Sequence, residues 1–139
     1  MKTSLLIVDF GLVILIWMTQ LIIYPSFKYY DELQLVNWHQ KYTVAISFIV
    51  MPLMLMQVAL HGYQLYTAFN WLTVLAVLLI ILTWLNTFAV AVPLHNQITT
   101  NTNPLTAAEK LVNINWYRTI MWSLVFLIGL INNFKTIFK

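Results

Sequence analysis

"WLTVLAVLLIILTWLNTFAVAV", residues 71–92, runs without a single charged side chain, and it decides the class of fold. A bilayer hydrocarbon core of ~30 Å is crossed by ~20 helical residues rising ~1.5 Å each. This stretch is long enough, and three further apolar runs, 5–24, 40–60 and 114–131, repeat the signal. Composition agrees: 61% of the 139 residues are hydrophobic and 8% charged, where a soluble domain carries about 25% charged residues. The mean hydropathy is +0.80. The expected fold is an all-α, integral membrane, up-down four-helix bundle, a single transmembrane domain over 1–139 with both termini on one side.

Several functional classes fall away on the same counts. Seven cations against four anions give a net charge of +3, too sparse for a nucleic-acid stripe. Without cysteine there is neither a disulfide framework nor thiolate chemistry. Phosphate loops, nucleophile elbows and zinc-protease motifs are absent from the sequence, and no internal repeat, low-complexity tract or linker suggests a second domain. The first run follows Lys2 as a signal peptide would. Asp9 interrupts it, however, and "YPSF" offers no small-x-small cleavage site, so it reads as a retained span.

The connections carry helix punctuation. Asp31 with Gln34, and Thr106 with Glu109, form capping-box patterns; Gly62 suits the end of helix two and Asn70 the start of helix three. Pro93 lacks the amide proton that Ala89 would receive, so "VPLHN" is expected to be irregular backbone. Four spans put Lys2, Lys135 and Lys139 on the terminal side and Lys28, Lys41, Lys110 and Arg118 on the other. With Lys41 and Arg118 set aside as site residues, the positive-inside rule puts the termini in the cytoplasm, with the protein in a cytoplasmic (inner) membrane.

Polar residues inside the spans collect at one depth, on the side away from the termini. Arg118 lies about 20 Å of helix from Ile131, Gln20 roughly 6 Å inside Tyr24, and Asn86 roughly 9 Å inside Val92. Alternating topology puts His39 and His95 on that side and His61 on the other. The candidate catalytic residues are therefore His39, His95 and Arg118. Trp17, Gln20, Tyr24, Tyr42, Asn86, Asn96, Asn115, Trp116 and Trp122 are candidate ligand-binding residues, the tryptophans as flat apolar walls. Each has a plainer alternative. Arg118 can snorkel to the headgroups, Gln20 and Asn86 can bond across helices, His61 can cap a helix, and Asp9 can pair with Gln57 or His61. No metal site is expected, since no ligand cluster completes a first shell; a metal or haem held by His39 and His95 is the alternative. Met51, Met54 and Met56 read as gap-filling around Pro52.

A first span ending in "YP", a second with Pro52 inside it, a third running into "VPLHNQI" and a fourth opening with "NWYRT" before Trp122 together resemble the anthrone-oxygenase-like family of small four-span membrane proteins. The resemblance covers nearly the whole chain. It implies oxygenation of an activated carbon on a polycyclic aromatic, with no established metal or organic cofactor. A neutral imidazole from His39 or His95 would take the acidic ring proton, and Arg118 would stabilise the enolate-like anion. The expected partners are the lipid bilayer and an aromatic or quinone-like small molecule. The competing function is that of a non-catalytic accessory subunit, held by apolar helix faces in a larger membrane complex or a homo-oligomer.

Overall fold

A computed structural model describes residues 2–137 of the chain, and side-chain surroundings over 3–132. Lys2, Lys135 and Lys139, the terminal-side cations, have side chains outside that range. The described residues form four helices long and apolar enough to cross a membrane: α1 (Thr3–Tyr29), α2 (Glu32–Thr67), α3 (Trp71–Thr99) and α4 (Pro104–Ile137). α1 and α3 each pack against both α2 and α4. The pattern of burial is that of a chain dissolved in lipid. Phe48, Ile7 and Ile22 are exposed, whereas Asp9, Gln57, His61, Thr83 and Thr119 are buried; hydrocarbon outside leaves polar groups no partners but one another.

All four helices outrun the apolar runs, and polar side chains cap the starts of α2 and α3. The Asp31 carboxylate accepts from the Gln34 amide at 2.8 Å and starts α2. Asn70 and Thr73 form a reciprocal capping box on α3. α2 does not close at Gly62; it continues to Thr67. α4 starts at Pro104 rather than at a Thr106 cap, since proline at the first helical position gives up an amide proton that has no acceptor anyway. Before it, Asn101 and Asn103 take positive φ of 56° and 52°. Asparagine tolerates that left-handed region better than most residues, which explains an Asn-rich connection.

The expected irregular segment around Pro93 is helical. The missing proton is absorbed one turn earlier: Thr87–Ala91 forms a π-turn in which the Val92 amide reaches Thr87 O. The same device precedes Pro25, where Thr19–Ile23 is a π-turn and the Tyr24 amide reaches Thr19 O. Each π-turn inserts one residue into the α register and swings the following side chains around the axis. So Tyr24 and His95 are aimed inward by their neighbouring prolines. The matching Thr-x5-Pro segments also qualify the expected absence of repeats, as does "LVN" followed by Thr at the same spacing in 35–43 and 111–119.

Candidate functional site

Four side chains at one end of the bundle form a hydrogen-bonded chain. The Tyr24 hydroxyl lies 3.0 Å from His95 Nε2, His95 Nδ1 lies 2.8 Å from His39 Nε2, and His39 Nδ1 lies 3.1 Å from Thr99 Oγ1. Thr99 in turn donates to the carbonyl of His95 at 3.0 Å. That last bond fixes the direction of the others. With its proton committed, Thr99 Oγ1 must accept from His39 Nδ1–H, leaving His39 Nε2 as an acceptor for His95 Nδ1–H. His95 Nε2 then accepts from the Tyr24 hydroxyl. Every member donates once, and the three polar side chains of Tyr24, His95 and His39 are held by packing as well: Phe27 meets His39 edge-on, and the two imidazoles stack at 5.0 Å.

Arg118 of α4 joins from the opposite wall. Its guanidinium and the Tyr42 hydroxyl both stand against the Tyr24 hydroxyl, and Tyr42 stands against Thr19. Below, Arg118 lies over the Trp122 ring at 5.4 Å. The residue is buried, and its Nε has no partner. No carboxylate pairs with it among the described residues, whose one ion pair joins His61 and Asp9. A permanent cation thus sits desolvated inside a span, in contact with a phenol and an indole face. Its side chain is turned into the bundle.

Beside these groups is a cavity of about 320 Å³, lined by Thr19, Tyr24, Tyr42, His95, Asn96, Thr99 and Arg118 on its polar side. Ile16, Ile46, Val50, Met54, Phe88 and Ala91 are among its apolar lining. Three of its lining residues on α3, Phe88, Val92 and Asn96, are exposed. The volume reaches the lower range of small-molecule sites.

Of the candidate residues, the structure brings Tyr24, Tyr42, His95, Asn96 and Arg118 onto the cavity. His39 stands behind His95 and supports it. Gln20 bonds across helices, accepting from Asn115 at 2.9 Å and donating to Val112 O. Trp17 and Trp116 meet each other edge-on and are partly exposed, away from the cavity. Asn86 does not line it; its Oδ1 is buried without a partner. Trp122 lies beneath Arg118 and donates to Gln57 at 3.0 Å. Thr19 and Thr99 were not singled out by sequence, since threonines in apolar helices usually bond their own backbone, as both also do here.

His61 is not a helix cap. It lies within α2 and meets Asp9 at 3.0 Å, and Gln57 donates to the same carboxylate at 2.7 Å, so Asp9 takes both expected partners. No group of three metal-ligating side chains occurs among the described residues. His39 and His95 bond directly at 2.8 Å, whereas an ion between two imidazole nitrogens needs about 4 Å, two bonds of ~2 Å. The residues as arranged do not fit a bis-histidine metal or haem. Comparisons with family models, with characterised proteins and with solved structures return no match to the chain.

Proposed function

We propose that this chain is an up-down four-helix membrane bundle whose cavity binds a small aromatic or quinone-like molecule carrying an oxygen that becomes anionic. The observation that carries this reading is Arg118: a buried guanidinium with no carboxylate partner among the described residues, placed on a cavity part of whose α3 lining is exposed. An apolar ligand entering between α2 and α3 would set its oxygen against Arg118 and Tyr24, with rings among Ile46, Val50 and Phe88. The α1–α2 contacts support an up-down arrangement: early α1 meets late α2 through Asp9 and His61, and late α1 meets early α2 through Tyr24 and Tyr42. Both termini then lie on one side, which the cation count assigns to the cytoplasm.

The chemistry the site suits is oxygenase-like. A ligand with an acidic ring C–H gives that proton to His95 Nε2 when the Tyr24 hydroxyl turns from the imidazole to the new anion. Arg118 holds the negative oxygen where little water competes. Dioxygen then adds at the same carbon and water leaves, so anthrone and one dioxygen give anthraquinone and one water. The test uses anthrone as the probe, with the purified protein in detergent. Saturable binding is expected, weakened at least tenfold by Arg118→Leu, as loss of a charge-assisted hydrogen bond of about 1.5–3 kcal/mol requires. Equal binding by Arg118→Leu, or co-purification of the native chain with larger subunits and no small molecule, would favour the accessory role instead.

A further inference from the structure

The bond between the two imidazoles can reverse in place. His95 Nδ1 and His39 Nε2 are 2.8 Å apart, and the other nitrogen of each ring already has a partner, the Tyr24 hydroxyl at 3.0 Å for His95 and Thr99 Oγ1 at 3.1 Å for His39. A proton arriving at His95 Nε2 can therefore push the Nδ1 proton across to His39 and leave every ring nitrogen paired.

Electrostatics favours that shift. His95 lines the Arg118 cavity, whereas His39 is buried behind it. Arg118 stands against the Tyr24 hydroxyl, so an imidazolium at His95 would lie one hydroxyl away from a permanent cation. At His39 the charge is a full ring further off, and like charges in a poorly screened interior repel less as they separate. Thr99 Oγ1, whose own proton goes to the His95 carbonyl, accepts from His39 Nδ1–H before and after the shift. That bond strengthens when its donor is charged.

We infer that His39 holds the proton that His95 removes from the ligand. The inference rests on the reading of the Arg118 cavity as the place of proton abstraction. His95 Nε2 takes the proton while the C–H electron pair stays on the ligand, its charge on the oxygen at Arg118. The His95 Nδ1 proton then moves to His39 Nε2, and His95 is neutral again, with Nε2–H facing Tyr24. A base has become a donor. After dioxygen adds at the carbon, that proton passes by way of Tyr24 to the peroxide oxygen, and His39 returns its Nε2 proton to His95 Nδ1. The second C–H proton leaves as the O–O bond breaks and joins the departing hydroxide, so anthrone and dioxygen give anthraquinone and water with no proton left over. His39 is a positioning residue for the proton, acting through His95.

Nitrogen-15 spectra of histidine-labelled, full-length protein in detergent locate that proton. They are recorded twice, as the pH of the ligand-free protein is lowered and with saturating anthrone in the absence of dioxygen. The titratable and charged groups facing the pair are Tyr24, Tyr42 and Arg118; phenols and guanidinium keep their charge on acidification. In both experiments His39 should become protonated at both nitrogens while His95 changes from Nδ1–H to Nε2–H. His39→Gln offers His95 Nδ1–H an amide oxygen that cannot take the proton. It should retain anthrone binding, yet the fraction of bound anthrone absorbing as its anion should fall about tenfold, the order of the added repulsion between neighbouring cations. A doubly protonated His95 beside a bare His39 Nε2 would overturn the inference, as would an unchanged anion fraction in His39→Gln with anthrone bound. Native protein that fails to bind anthrone would overturn the reading of the cavity instead, and the acid spectra, which need no ligand, would then decide between His39 and His95.

Discussion

Replacing Thr99 with valine should reverse the direction of the Tyr24–His95–His39 chain. In the native arrangement Thr99 donates to the His95 carbonyl and accepts from His39 Nδ1–H. His39 and His95 therefore both carry their proton on Nδ1. Reversing the chain in the native protein costs one bond, because the Thr99 proton cannot serve both the carbonyl and a bare His39 Nδ1. At about 0.5–1.5 kcal/mol per net hydrogen bond, the native direction is favoured about two- to twelvefold. Valine removes that bond and leaves the forward direction with a buried, unpaired His39 N–H, a cost of about 1–3 kcal/mol. The reversed chain avoids it: His39 Nε2–H donates to His95 Nδ1, His95 Nε2–H donates to Tyr24, and the Tyr24 proton turns to the Tyr42 oxygen standing against it. Nitrogen-15 spectra of histidine-labelled protein separate protonated from bare ring nitrogens. The native protein should show Nδ1–H at His39 and His95, Thr99→Val should show mostly Nε2–H at both, and Thr99→Ser should look native. A native spectrum with Nε2–H at His95, or Thr99→Val with unchanged tautomers, would refute the ordering.

Other expectations follow from the same geometry. Asp9→Leu alone leaves the Gln57 and His61 donors unmet and should destabilise by about 2–4 kcal/mol, while Asp9→Leu with His61→Leu should cost clearly less than the sum of the single changes, because breaking one half of a buried pair is worse than removing both. Reversible unfolding in mixed micelles measures this cycle. Pro93→Ala restores the proton that Ala89 O lacks and should relax the π-turn to α register, rotating His95 by about 100° away from His39; a cross-peak between the two imidazoles should vanish. A Cβ on Gly129 would sit 3.4 Å from Leu5 and Leu6 and 3.5 Å from Asp9 Oδ2. Gly129→Val should accordingly weaken the α1–α4 contact by about 1–3 kcal/mol, the usual cost of overpacking, in the same unfolding assay. Asn103→Val, forced to keep a φ of 52°, should lower stability by about 1–2 kcal/mol, and Asn103→Gly should not.

The helices were legible because hydropathy over twenty residues is a strong, additive signal, and the His39, His95 and Arg118 grouping was legible because depth along a helix is countable from its ends. Rotation about the helix axis was less so. A π-turn adds one residue and shifts the face of all that follows, and nothing in apolar periodicity reports it; Tyr24 and His95 both lie just beyond such turns. Tryptophans misled for a related reason. Trp17 and Trp116 belong to the outer surface, where indole is at home in an interfacial layer, and of the three candidates Trp122 alone is turned inward. Asp9 with Gln57 and His61 was readable as a pairing, because lipid leaves a carboxylate few alternatives, but not as a pairing that leaves an imidazole nitrogen over.

The two halves of the chain suggest why the cavity is one-sided. Thr19 to Pro25 in α1 and Thr87 to Pro93 in α3 share spacing and a π-turn. In α2 and α4 the paired segments 35–43 and 111–119 begin "LVN" and end in Thr, so that His39 corresponds to Asn115 and Tyr42 to Arg118. Each corresponding polar residue ties its helix to a proline-bearing neighbour: His39 to His95 of α3, and Asn115 to Gln20 of α1. The scaffold is thus doubled while its chemistry is not. At the α1–α4 contact the amides of Gln20 and Asn115 meet directly. At the α2–α3 contact imidazoles replace amides, and the one guanidinium of α4 reaches across to the phenol of α1. A doubled frame with one wall of titratable rings and one cation facing it has its asymmetry concentrated at the cavity that Arg118 lines, and a frame serving packing alone would gain nothing from that asymmetry.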